Sequence, residues 1–218
     1  MSTWLLVPCH RPRLGDLQES LKYLGHMPAR TVVVTTYPDP IQPYDLDPCV
    51  TVLISPEPGI NISRWWNLGL DYITRNAEAP YEVLLMESDV RITRETVEVL
   101  TREMRDHRLA MAGADWYGVA DAPIEVCREP VPGPVEHRIP GVCMLVAGEL
   151  GLRFDEQMRW WYADDDFVWQ HRVNGGTGLV RGQTIQHGAG RPLEGERAQY
   201  AAEDEPKFLA KWGSRHIG

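Results

Sequence analysis

A short apolar run that ends in paired carboxylates constrains this chain more than any other feature. Within Tyr81–Arg91 (YEVLLMESDVR), Val83-Leu84-Leu85-Met86 is continuously apolar and then stops at Glu87-Ser88-Asp89. Such a run fits a strand covered on both faces and is too short for a buried helix. Two carboxylates one residue apart, at the end of an interior strand, repel each other and lose hydration unless a cation neutralises them. In an open α/β sheet the carboxyl ends of the strands are also where ligands sit. A hard divalent ion there takes one or two carboxylates together with substrate phosphates. A solvated strand-end turn would accommodate the same residues with no ligand, so the rest of the chain has to decide.

The segments before this run alternate strand and helix. Thr3–Val7 reads as a strand stopped by Pro8, followed by the loop Cys9-His10-Arg11-Pro12-Arg13. Leu14, Leu17, Leu21 and Leu24 mark one face of a helix ended by Gly25 and Pro28. Thr31–Thr36 (TVVVTT) suits a doubly covered strand, residues 37–48 a proline-rich loop, and Val50–Ile54 a third strand. That succession predicts a parallel sheet with helical crossovers. In the next helix Ile62, Trp66, Leu70 and Ile73 share a face, with Asn61 or Ser63 as cap. Arg64 and Asn67 lie near its start, where a helix N-terminus can receive a phosphate or a nucleobase edge. A surface arginine beside a packed tryptophan pair is the plain alternative.

Beyond the central strand, Thr93 can cap a helix bearing Val97, Leu100 and Met104, and Leu109–Ala114 reads as a short strand. Residues 115–140 carry five prolines and little periodicity, which predicts a long functional loop. Gly141–Ala147 returns to a buried strand. No linker or internal repeat divides the chain, so residues 1–218 are expected to form one domain with a helical tail over 190–218.

A second acidic cluster follows. In Trp160-Trp161-Tyr162-Ala163-Asp164-Asp165-Asp166, three aspartates open an amphipathic helix, where the macrodipole favours negative charge and one of them can cap. Successive helical side chains point about 100° apart. One aspartate can therefore face a pocket, another cap, and a third bind the Arg172 side or the backbone. Gly175-Gly176 ends this helix, Thr177–Arg181 reads as a strand, and His187 follows among glycines that permit close approach.

Composition narrows the function. With 22 basic against 31 acidic residues, a net charge of −9 argues against broad binding to a nucleic-acid backbone. No apolar run approaches the ~20 residues that span a bilayer. The N-terminus MSTWLLVPCH lacks the basic region and long apolar core of a signal peptide. Cys9, Cys49, Cys127 and Cys143 are scattered without a CxxC pair, which predicts a reduced cytoplasmic protein with neither zinc nor a disulfide framework.

Taken together, these segments resemble the inverting glycosyltransferases of family two, and the likeness runs through most of the chain. LLVPCHRPRLGDLQESLKYL is similar to that family's first strand, nucleotide-cradling loop and first helix. GINISRWWNLGLDYI resembles the helix whose Arg and Asn positions lie near the nucleotide-sugar. Glu87-Ser88-Asp89 stands at the DxD motif, and RFDE (Arg153–Glu156) with WWYADDDFVWQHRVNGG is similar to "FDE…EDxDxxxRxxxxG". PKFLAKWG resembles the C-terminal helix, and the short length resembles small bacteriophage members. Two positions depart from the pattern: Glu87 replaces the first DxD aspartate, and Ala163 the ED glutamate.

The resemblance implies a GT-A fold, a Rossmann-like three-layer α/β/α arrangement with a mostly parallel central sheet. It implies a nucleoside-diphosphate sugar as donor, contacted by Pro8, His10, Arg11, Arg64, Asn67, Glu87, Ser88, Asp89 and Arg191. Mn2+ or Mg2+ would be held by Asp89 with Glu87 and His187. Asp164 would be the base, and Trp161, Tyr162 and Asp165 would meet the acceptor, a glycan or protein hydroxyl in preference to a DNA base. The segments 115–140 and after His187 would close over the donor. A sugar-1-phosphate nucleotidyltransferase shares such a sheet but usually has GxGTR after the first strand, where this chain has PCHRPR. A silent nucleotide-sugar or glycan-binding module is the remaining alternative.

Overall fold

The computed structural model describes residues 2–25, 30–36, 39–57, 59–115, 124–132, 137–183, 185–188 and 195–213. Along the chain the first half runs β1 (Ser2–Pro8), α1 (Leu14–Leu24), β2 (Thr31–Thr36), β3 (Thr51–Ser55), α2 (Ile62–Asn76), β4 (Tyr81–Met86), β5 (Val90–Arg91) and α3 (Arg94–Asp106). The second half runs β6 (Met111–Ala114), β7 (Glu125–Cys127), β8 (Cys143–Ala147), α4 (Ala163–Val173), β9 (Thr177–Val180), β10 (Gln186–His187) and α5 (Glu196–Trp212).

Eight strands form one sheet in the order β3-β2-β1-β4-β8-β6-β9-β7. β3, β2, β1 and β4 are parallel neighbours, as are β6 and β9, whereas β8 and β7 run against the rest. The apolar run 83–86 lies in the middle, with every residue of β4 buried. Its side chains alternate between two cores, as the two-residue strand period requires. Leu84 and Met86 join Leu5, Leu145 and the α1 and α3 residues Leu17, Leu24, Val97, Leu100 and Met104. Val83 and Leu85 join Leu6, Met144 and residues from α2, α4 and α5, among them Trp66, Ile73, Phe167, Trp169 and Phe208. Helices thus cover both faces, giving three layers. Each fully buried leucine in these cores contributes about 1.5–3 kcal/mol over an exposed one. No helix among the described residues is long and apolar enough to cross a membrane.

Two expectations need correction. Residues 115–140 are not irregular throughout: Glu125–Cys127 is a strand paired antiparallel with β9. Three residues are too few to show a period, and the partner lies 50 positions on for Cys127 and Thr177. The described parts of this segment are also tied down. Arg181 bonds Asp115 at 3.1 Å and Glu125 at 2.8 Å, Arg172 donates to the Val131 carbonyl at 2.9 Å, and Arg138 pairs with Asp165. Residues 116–123 and 133–136, and most of the glycine-bearing stretch after His187, lie outside the described residues, so the expected closure falls partly on them. The second correction concerns α4, which no aspartate caps. Tyr162 holds the N-cap position in a left-handed conformation (φ 60°) with no side-chain cap bond.

Candidate active site

The turn after β4 is fixed from two directions. The Glu87 N–H donates to the Val142 carbonyl at 2.8 Å, and Val90 N–H donates back to Glu87 O at 3.2 Å. On the other side Ser20 of α1 donates its hydroxyl to the Ser88 carbonyl at 2.9 Å. β5 then pairs antiparallel with β10 in a register that sets Val90 opposite His187. That pairing brings together residues nearly a hundred positions apart in sequence. His187 Nε2 lies 3.3 Å from Asp89 Oδ1 and 3.4 Å from Glu87 Oε2. One ligand atom from each of the three residues falls within 4.8 Å of the others.

The electrostatics match that geometry. Hydrogen bonding to Asp89 and then to Glu87 pushes the His187 imidazolium pKa up to about 9. The hydrogen bond from His187 holds the Asp89 carboxyl below its usual value, against the opposing effect of burial. Arg13 also pairs with Asp89 and bonds Asp16 at 2.8 Å. Two carboxylate oxygens and, once an ion displaces its proton, an imidazole nitrogen form a donor set that suits a divalent ion. The oxygens fit Mn2+ or Mg2+, and the nitrogen weights the set toward Mn2+.

The three aspartates of α4 have three different fates. Asp166 is wholly buried and accepts from Trp212 Nε1 and Lys211 Nζ, each at 2.8 Å, and from Gln170 at 2.7 Å. Asp165 is buried against Arg138; burial, reinforced by the neighbouring Asp164 charge, pushes its carboxyl up to about 7. Asp164 is half-buried and makes no side-chain hydrogen bond or ion pair among the described residues. Its carboxylate lies against Gly141, where a Cβ would stand 2.2 Å from Oδ2. Gly141 immediately precedes Val142, whose carbonyl holds Glu87. The chain leading into β8 therefore touches both acidic sites at the carboxyl edge of β4.

The other expected site residues are distributed as follows. Pro8 ends β1, and His10 precedes the single turn Arg11–Arg13. Arg11 pairs with Asp45 from the loop after β2. Arg64 pairs with Glu57 and, at 3.2 Å, with Glu156. Asn67 uses its whole amide internally, accepting from the Phe154 N–H at 2.9 Å and donating to Phe154 O and Glu156. It cross-links α2 to the 153–156 segment, and its position near a helix start did not reveal that commitment. Trp161 is 41% exposed, its N–H held with those of Arg159 and Trp160 by the buried Asp204 carboxylate. The Tyr162 ring packs on Phe208 at 5.3 Å. Arg191 lies outside the described residues. The sequence reading missed Arg13, Gly141, Arg138 and Asp204. Of these only Gly141, a glycine at the entry to a buried strand, carried a local signal.

No family model and no curated protein matches the sequence. Solved structures do. Staphylococcus aureus TarS superposes with a TM-score of 0.61 at 14% identity, covering all of this chain and 44% of TarS. The chain has the GT-A fold. TarS 1–349 bound to UDP-GlcNAc matches with a TM-score of 0.60 at 16% identity, over 91% of this chain and 61% of that one. Its UDP complex matches with a TM-score of 0.60 at 14% identity, over 96% and 72%. At these identities the likeness is one of fold, and this chain spans less than half of that longer TarS chain.

Proposed function

We propose that this protein is an inverting glycosyltransferase that moves a sugar from a nucleoside-diphosphate sugar to an acceptor hydroxyl. The observation that carries the reading is the meeting of two acidic sites at one sheet edge. One is a set of potential ion ligands, the other a carboxylate with no partner among the described residues. The fold is one that in TarS holds UDP-GlcNAc and UDP.

Glu87, Asp89 and His187 would hold a divalent ion, whose charge would stabilise the leaving diphosphate. An acceptor hydroxyl ionises far above neutral pH and needs a positioned base as it attacks. Asp164 takes that proton on a carboxylate oxygen while the hydroxyl oxygen bonds to the anomeric carbon. The bond from that carbon to the diphosphate breaks, its electron pair leaving with the nucleotide. A single in-line displacement inverts the anomeric centre. Asp165 and Asp166, committed to Arg138 and to Lys211 and Trp212, hold α4 in place instead. The β1 loop with Pro8, His10 and Arg11, together with Ser88, Arg64 and Arg191, is assigned to the donor. Exposed Trp161 and the neighbouring Tyr162 offer faces to an acceptor sugar. The net charge favours a glycan or protein acceptor over DNA, and the four free cysteines suit a reducing cytoplasm.

Incubation with a panel of nucleotide-sugars and Mn2+ tests the reading through slow hydrolysis of the matching donor. Hydrolysis that disappears in Asp164→Asn while donor binding persists is the expected result. Binding without turnover in the wild type, even with acceptors supplied, would make the chain a nucleotide-sugar-binding module instead.

A further inference from the structure

We propose that Arg13 is the positioning residue that aims Asp89 at the divalent ion; the inference rests on the ion-binding part of the proposed function. The two oxygens of Asp89 have separate surroundings. Oδ1 is the one that lies 3.3 Å from His187 Nε2, inside the cluster with Glu87. Oδ2 receives Nη2 of Arg13 instead. The same Oδ2 is approached by Gly188, where a Cβ would come within 3.1 Å of it. The guanidinium therefore takes one oxygen of Asp89 and leaves Oδ1, the oxygen beside His187, to the cluster that would hold the ion.

A cation beside an ion site could instead simply repel the ion. Here that effect is offset, because Nη1 of Arg13 pairs with Asp16 at 2.8 Å. The planar fork bridges one carboxylate that would bind the ion and one that would not, and its geometry outweighs its net charge. The grip is also rigid. Arg13 closes the single turn Arg11–Arg13 and stands at the N-cap of α1, while Arg11 of that turn is tied to Asp45. The Ser20 hydroxyl on the Ser88 carbonyl adds a second tie between α1 and the same turn. Without the guanidinium, Asp89 can rotate away from Glu87 and His187. Partners that orient a metal ligand in this way commonly change metal affinity by about 10–100-fold when removed.

Calorimetric titration of chelator-treated full-length protein with Mn2+ alone tests this, using wild type, Arg13→Gln and Arg13→Lys. Wild type should bind, Arg13→Gln should bind at least ~10-fold more weakly, and Arg13→Lys, which keeps a donor for Asp89, should recover part of the loss. UDP affinity in EDTA should be the same in all three, with only the Mn2+-dependent increment reduced in Arg13→Gln. Equal or tighter Mn2+ binding by Arg13→Gln, with wild type binding normally, overturns the inference and leaves the ion site standing. A loss of UDP affinity that persists in EDTA would place Arg13 on the donor itself and also overturn it. Absence of Mn2+ binding by the wild type removes the ion site and this inference together.

Discussion

Replacing Gly141 with alanine should disable transfer without weakening the donor. The added Cβ would stand 2.2 Å from Asp164 Oδ2, 2.5 Å from its Cβ and 2.6 Å from its Cγ, where ordinary contact begins near 3.4 Å. Rotating the carboxylate cannot relieve the clash, because the Asp164 Cβ is itself too close. The start of α4 or the chain entering β8 must therefore shift, by about 1 Å. A displacement of that size at a catalytic group can cost roughly 100-fold in rate, equivalent to about 2.7 kcal/mol of activation free energy. Overpacking should also lower stability by about 1–3 kcal/mol, so urea unfolding must first show that the variant is folded under assay conditions. Single-turnover transfer, or donor hydrolysis, then measures the chemical step, and calorimetry measures nucleotide affinity. A double-mutant cycle isolates the role of Gly141. In an Asp164→Asn background the base is already gone, so Gly141→Ala should cost less than about threefold further. Full turnover in the alanine variant, or a second ~100-fold loss on top of Asp164→Asn, would refute the idea that Gly141 acts by making room for the base.

Other substitutions test the remaining parts. Asp89→Ala should abolish the Mn2+-dependent part of nucleotide-diphosphate affinity, and His187→Ala should give a milder defect; equal affinity of the wild type with and without EDTA contradicts the ion assignment. Among asparagine replacements in α4, Asp164→Asn should reduce turnover by roughly 10²–10⁴-fold with donor affinity intact, whereas Asp166→Asn should chiefly lower the melting temperature. Asn67→Ala removes a buried amide with three hydrogen bonds and should destabilise the fold by about 2–3 kcal/mol; a normal urea midpoint with weakened donor binding would return Asn67 to the donor site. Burial holds His171 neutral, its pKa lowered from 6.5 to about 4. That contribution to stability is fully present above the unfolded value and is lost progressively as pH falls from there toward the folded one, so about 2 kcal/mol should be gone by pH 5. Asp165, pushed up to about 7, works in the opposite sense; the difference in urea midpoints between wild type and His171→Phe at pH 7.5 and pH 5 therefore isolates the histidine. An identical pH dependence in the two proteins would contradict the assignment.

The layered fold was legible because its signals are local. The continuous runs 31–36 and 83–86 required strands buried on both faces, and the spacing of Leu17, Leu21 and Leu24 or Ile62, Trp66 and Ile73 required helices with one covered side. A carboxylate pair at the end of such a strand marked the edge where chemistry could sit, because burial makes unneutralised charge costly whatever the partner. Pairings across long sequence distances were not legible. Nothing in a two-residue strand announces that Gln186-His187 will lie beside Val90-Arg91, and that register alone brings His187 to Asp89. The aspartates of α4 are chemically identical on paper, and only packing distinguishes them. Lys211 and Trp212 of α5 take Asp166, Arg138 takes Asp165, and the missing side chain of Gly141 leaves room for Asp164. Composition and periodicity determine what a segment can bury, which is a property of neighbours along the chain. Which carboxylate is left without a partner among the described residues depends on what arrives from distant segments, and only the tertiary structure decides that.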